Sequence, residues 1–320
     1  MPVAITAPAR LSPSPWRTDR FAGPRPGSGG PGDAGPERGR VPPVEVVSPS
    51  PCTFPTTPTR EASPIDLSER YGDLDVRHPW EMARCAFFLR LLHQFGVDRT
   101  PVHWLDVGAG DAWIAQQALD RLPPSSEITC WDTNYSSEEL ISPLAQRVDL
   151  HLVTTAPAGR FDGVLMLDVI EHLEDDLSFV SNVVESKMAP DGWILVSVPA
   201  YQRLFTSHDV SLKHYRRYSP SQCVAVLQSA GLTVEAKGSL FQSLLIVRVL
   251  QAAKEKLHSP EAGSTGVGAW TGGPHLTGAI ERSLEAESRL SLAIAKRSRF
   301  TLPGLSFWAF CRRRGEVAPT

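Results

Sequence analysis

Trp104-Leu105-Asp106-Val107-Gly108-Ala109-Gly110-Asp111-Ala112-Trp113 is the stretch that decides the fold. The apolar run Val102–Val107, broken only by His103, reads as a buried parallel strand. It enters two glycines spaced by one residue, and a helical pattern opened by Asp111 follows. Strand, glycine turn and helix start together leave a nucleotide-sized space at the carboxyl end of the strand. The glycines let a ligand approach backbone where a Cβ would collide. A dinucleotide turn of the form G-x-G-x-x-G would need its third glycine at Trp113, so the pyrophosphate-binding version is excluded.

Three further segments follow in order. A helix over Ala112–Leu122 is stopped by Pro123-Pro124, and the short apolar run Glu127-Ile128-Thr129-Cys130-Trp131 then ends in Asp132. An acid at the tip of a second strand can accept both hydroxyls of a ribose, although Asp132 would also serve as a turn residue before Thr133-Asn134. Phe161-Asp162-Gly163-Val164-Leu165-Met166-Leu167-Asp168 is the next strand, followed by Val169-Ile170-Glu171-His172-Leu173. Met188-Ala189-Pro190-Asp191-Gly192 then leads into Trp193–Pro199.

These four segments, in this order, resemble the motifs of the class I S-adenosylmethionine (SAM)-dependent methyltransferases. Asp106-x-Gly108-x-Gly110 resembles motif I, with Ala112 where many members carry a further glycine. The resemblance implies SAM as cofactor. It implies that Asp106, Gly108 and Gly110 cradle the methionine part with Asp111 beside them, that Asp132 and Thr133 hold the ribose side, and that Asp168 faces the methyl group. The family often places an acid for adenine after strand three; His151–Thr155 offers hydroxyls and backbone instead.

The segment Pro199–Tyr218 is dense in chemistry: Tyr201, His208, Asp209, His214, Arg216, Arg217 and Tyr218. It resembles a P-A-Y … H-D … H-x-R-R-Y segment that lies over the acceptor pocket in a bacterial, quinone-biosynthesis-like subgroup of the family. A hydroxyl acceptor loses its proton as the methyl arrives, and His172, His208 and His214 are the candidate bases. Tyr201, Asp209, Arg216 and Arg217 are candidate acceptor ligands, the arginines for a carboxylate or phosphate; an Asp209–arginine pair that merely closes the loop is the alternative. Glu171 and His172 resemble a pair that holds a divalent ion in some quinone-type methyltransferases. No further acids align with them, and no metal is expected.

Residues 1–64 carry fifteen of the 28 prolines and no lysine. They read as a disordered tail, and residues 65–320 as the methyltransferase domain. Trp80, Ala83, Phe87, Phe88, Leu91, Leu92 and Phe95 predict an amphipathic helix ending at Gly96. A later helix over Asp175–Met188 should bury Leu177, Val180, Val184 and Met188, and another should start at Ser219-Pro220 and end at Gly231. Strands over Leu232–Lys237 and Gly304–Cys311 complete an α/β fold: a doubly wound, mostly parallel seven-stranded sheet with an antiparallel last strand. An excess of residues at about 240–300 predicts a helical insertion of two helices, Leu240–Leu257 and about Thr277–Arg297, around a glycine-rich linker. It reads as a hairpin covering the sheet or making a dimer contact, as a cap over an apolar substrate, or as a peripheral membrane contact through 240–257.

A net charge of -3 with 21% charged residues gives no basic field for nucleic acid. Scattered cysteines without C-x-x-C spacing, no apolar leader and no long apolar run predict a cytoplasmic protein, monomer or homodimer. The expected activity is methyl transfer to a hydroxyl of a small-molecule acceptor. Transfer to nitrogen or carbon, or a silent SAM-binding regulator, are the alternatives.

Overall fold

The computed structural model describes residues 77–257, 273–297 and 301–314. The tail at 1–64, Cys52 and the glycine-rich linker therefore lie outside the described residues. In chain order the elements are α1 (Pro79–Phe95), β1 (His103–Val107), α2 (Trp113–Leu119), β2 (Glu127–Trp131), α3 (Ser137–Leu140), β3 (Leu150–Val153), β4 (Phe161–Leu167), α4 (Asp176–Lys187), β5 (Met188–Pro199), α5 (Ser207–Ser211), α6 (Pro220–Ser229), β6 (Leu232–Leu240), α7 (Gln242–Leu257), α8 (Pro274–Arg297) and β7 (Ser306–Arg313).

The strands form one sheet in the order β3-β2-β1-β4-β5-β7-β6. Pairs from β3 through β5 are parallel, and β7 runs antiparallel between β5 and β6. The expected antiparallel last strand is thus inserted beside β5, with β6 at the edge. Strand order reverses at β1 and β4, and in an open α/β sheet the ligand crevice lies outside the carboxyl ends at that reversal.

Each face of the sheet has its own core. On one side Trp104, Leu165, Leu195, Trp308 and Phe310 pack with Phe87, Phe88, Leu91 and Leu92 of α1 and with Leu284 and Leu292 of α8. On the other, Leu105, Val107, Val164, Met166 and Phe307 pack with Val180, Val183 and Val184 of α4 and with Cys223 and Leu227 of α6. In β7 the two alternating sets, Phe307/Ala309 and Trp308/Phe310, are therefore both buried, as a sheet covered by helices on both faces requires.

Helix ends follow the sequence signals. Gly96 closes α1 in a left-handed conformation, and Ser219 caps α6 through a reciprocal pair with Gln222. Two expectations are corrected. Leu177 is 38% exposed, because Val183 takes the inward place on α4. And α2 begins at Trp113, since Ala112 adopts φ +57° and so cannot continue a right-handed turn backwards to Asp111.

The two insertion helices part company. α8 packs on α1 and β6, with Ser288 and Ser291 buried against them. α7 runs over the carboxyl edge of the sheet and leaves much of its surface exposed. No helix among the described residues is long and apolar enough to cross a membrane.

Candidate active site

A cavity of about 590 Å³ lies at the carboxyl edge of β1, β2, β4 and β5. Its floor is the glycine turn. Gly108 has φ +65°, and a Cβ there would stand 2.8 Å from Val169 Cγ2, so both conformation and space require glycine. Gly110 also has positive φ and donates its N–H to Asp132 Oδ2 at 2.9 Å. Asp132 further accepts from the Asn134 N–H at 2.9 Å and from the Asn134 amide at 3.1 Å. The acid at the tip of β2 is thereby fixed toward the turn.

Four aspartates line the cavity, Asp106, Asp111, Asp132 and Asp168, with Glu81 and Glu171 also in its lining. Asp106 is buried, and burial raises it to about 7; Arg84 opposes that rise, while Asp132 and Asp111 add to it. A cluster of acids held at this cost suits a ligand that brings positive charge. The ammonium and sulfonium of SAM are such charges, and the open backbone at Gly108 and Gly110 leaves room beside them. The residues present fit the cofactor.

Asp168 directly follows β4, with φ +59°. Ser197 Oγ donates to its Oδ1 at 2.9 Å, and Arg84 Nη2 from α1 stands 2.9 Å from its Oδ2. Arg77 pairs with Asp111 and lies 4.4 Å over the Trp113 ring, closing the rim of the turn. Arg84 was not anticipated from sequence. Its signal was an arginine set within the apolar stripe of α1, four residues from both Trp80 and Phe88.

Beyond β4 and β5 the cavity wall is formed by Glu171, His172, His208, His214 and Arg217, with Phe241, Leu244, Val247 and Arg248 above them. Asp209 organises this end. It is fully buried and accepts from Thr206 N at 2.9 Å, while Arg217 Nε and Arg248 Nη2 each approach it at 2.7 Å and His214 Nδ1 at 3.0 Å. Burial opposes its ionisation, but the His214 bond and the Arg217 charge hold it well below the usual carboxylate range.

His214 lies edge-on to His172, with ring centroids 4.6 Å apart. Burial lowers His172 to about 4, with His214 adding to the effect, so its imidazole is neutral near pH 7. Glu171 is completely buried, and neither of its carboxylate oxygens accepts a hydrogen bond from another described residue. One ligand atom from each of Glu171, His172 and His214 falls within 4.8 Å of the others, a spacing that could hold a metal ion.

Of the sequence-derived candidates, Asp106, Gly108, Gly110, Asp111, Asp132, Asp168, His172, His208, His214 and Arg217 all line the one cavity. Four do not. Thr133 is exposed, and Asn134 takes its place at the wall. Tyr201 turns against the core. Asp209 lies behind the wall, its oxygens occupied by the arginines and His214. Arg216 points away, to Asp176 at 3.1 Å and the Glu174 carbonyl at 2.6 Å.

Residues 80–237 match a family described as a methyltransferase domain. Residues 80–237 therefore carry a SAM-dependent methyltransferase domain on the seven-stranded sheet, and SAM is its cofactor. Sequence comparison with curated proteins finds no match. Among solved structures, the chain is similar to a protein of Galdieria sulphuraria provisionally assigned as a sarcosine dimethylglycine methyltransferase (14% identity, 73% of this chain and 86% of that one, TM-score 0.47). It is also similar to a SAM-dependent methyltransferase of Archaeoglobus fulgidus (13%, 72% and 94%, 0.41). A third is the 1,6-didemethyltoxoflavin-N1-methyltransferase of Burkholderia thailandensis (19%, 52% and 84%, 0.36).

Proposed function

We propose that the protein transfers the methyl group of SAM to a hydroxyl oxygen of a small-molecule acceptor. The observation that carries this reading is the Asp209–His214 pair at the cavity wall. In the sheet order, Asp132 after β2 and the loop after β5 flank the tips of β1 and β4 from opposite sides. Asp106, Gly108, Gly110, Asp111, Asp132 and Asn134 then serve the cofactor, Asp168 stands at the junction, and His172, His208, His214 and Arg217 serve the acceptor. A cavity of about 590 Å³ falls in the range of small-molecule sites, about 300–1,000 Å³.

Bound SAM supplies a methyl group already activated by its sulfonium, so the protein's work is alignment and removal of one proton. Alignment of this kind is worth on the order of 7–11 kcal/mol. With Nδ1 donating to Asp209, the Nε2 lone pair of His214 takes the acceptor proton, and Asp209 stabilises the imidazolium that results. Arg217 and Arg248 keep Asp209 ionised and in place. Neutral His172 orients the hydroxyl beside it.

The Glu171–His172–His214 cluster favours a second reading, in which a divalent cation at these residues binds the acceptor oxygen. The two readings separate on chelation: the first leaves turnover unchanged in EDTA, the second abolishes it until metal is restored. The function itself is tested with methyl-labelled SAM and an organic extract of cells. Label in small O-methyl products is expected. Label only on nitrogen, on carbon or in macromolecules overturns the reading.

A further inference from the structure

α7 carries two adjacent stripes. Leu244, Val247, Arg248 and Gln251 line the cavity. Ile246, Val249, Leu250 and Ala253, also at i, i+3, i+4 and i+7, face outward. Ile246 is 64% exposed, Leu250 65% and Val249 47%, and Val247, at the border of the two stripes, is 50% exposed. Exposed apolar side chains in one run, rather than scattered singly, mark a surface meant for contact.

The patch extends beyond the helix. α5 is tied to α7 by the Arg248–Asp209 pair and by the Ser207 N–H donating to Glu255 at 2.8 Å, and its Val210 is 63% exposed. The turn Gln202–Leu204 packs on α7 as well. Charge selects the partner. Along residues 202–213 and the described side chains of α7, the exposed charged groups are Arg203, Lys213 and Lys254, all cationic. The two acids there are withdrawn, Asp209 by burial and Glu255 by its bond to Ser207. An apolar stripe edged by cations is complementary to an anionic lipid surface, and an α-helix of this pattern lies in the plane of the interface.

We propose that the outward face of α7, with Val210, docks on an anionic lipid bilayer, so that the cavity, which the other face of α7 lines through Leu244 and Val247, lies beside the membrane and the acceptor is taken from it. The inference deepens the reading of a small-molecule acceptor but stands on this surface alone. Its test needs no turnover, so it can fail while methyl transfer is retained.

The full chain is sedimented with vesicles of phosphatidylcholine, or of phosphatidylcholine mixed with phosphatidylglycerol. Binding is expected to the mixed vesicles and to weaken with added salt. Ile246→Glu with Leu250→Glu should lower the bound fraction at least about tenfold, and Lys213→Glu with Lys254→Glu should lower it while leaving the affinity for S-adenosylhomocysteine unchanged. Both pairs are outside the cavity lining, so retained affinity also shows that the variants are folded. Failure of the unaltered chain to bind mixed vesicles overturns the proposal. So does binding that survives the glutamate substitutions, or a lipid-free dimer dissolved by Leu250→Glu, which would give the face to a second copy of the chain.

Discussion

The two halves of the cavity are built on different principles. At the cofactor end, neighbours in sequence make the site: the turn Gly108–Asp111 follows its own strand, and Asp132 folds back on Gly110 through one hydrogen bond. At the proposed acceptor end, a single buried carboxylate gathers groups from separate elements. Asp209 binds Arg217 and His214 from the loop before α6, and Arg248 from α7, 39 positions along the chain. The first half is set by backbone conformation, the second by charge.

The largest expected effect follows from that difference. Asp209→Ala leaves Arg217 and Arg248 without their buried counter-charge and should cost about 3–5 kcal/mol in chemical denaturation. If the protein remains folded, its affinity for S-adenosylhomocysteine should change little, because no cofactor-end residue touches Asp209. Since Asp209 is held below the usual carboxylate range, its contribution is present at neutral pH and lost as pH falls through its folded value. An equal stability for the variant would mean that charge does not hold this end together.

Gly108→Val attacks the other half. The added side chain meets Val169 and must adopt a left-handed conformation. Cofactor affinity should fall at least about tenfold, or about 1.4 kcal/mol, by calorimetry. Normal affinity would place the cofactor elsewhere.

A smaller effect is read in pH. Burial lifts Asp106 to about 7, above its unfolded value, so its contribution is full below the ordinary aspartate range and lost as pH rises toward 7. The cofactor-free protein should therefore lose stability over that interval, and Asp106→Asn should flatten the loss. Binding of SAM near neutrality should release up to about one proton per molecule, seen as buffer-dependent calorimetric heat. An unchanged pH profile in Asp106→Asn would remove the acid cluster from the account.

The smallest concerns Ala112. It is buried with φ +57°, at the position where the family often carries glycine. Ala112→Gly should stabilise by up to about 1 kcal/mol in thermal unfolding. Destabilisation would show that its methyl packs better than its backbone is strained.

This division explains what could be read from the chain. The strand–turn–helix at Trp104–Trp113, the acids Asp132 and Asp168 and the capped helix after Ser219 are local patterns, and each appears where its pattern put it. Thr133 was the expected wall residue after β2, and the turn there brings Asn134 to the cavity lining instead. The density of charge at 199–218 announced a site, but not its wiring. Arg216 and Arg217 are adjacent in sequence, yet one pairs with Asp176 outside the cavity and the other with Asp209 at its wall. The pairing of Arg84 and Arg248 could not be read for the same reason: their partners lie on other elements.

The central claim is that these halves act separately, one holding SAM and the other the acceptor and its proton. Turnover and S-adenosylhomocysteine affinity measured together on His214→Ala test it most directly. Turnover should fall at least about tenfold with affinity within about twofold, the pattern of an interaction made only in the transition state. A folded His214→Ala protein that turns over normally, or that loses the cofactor, would contradict it.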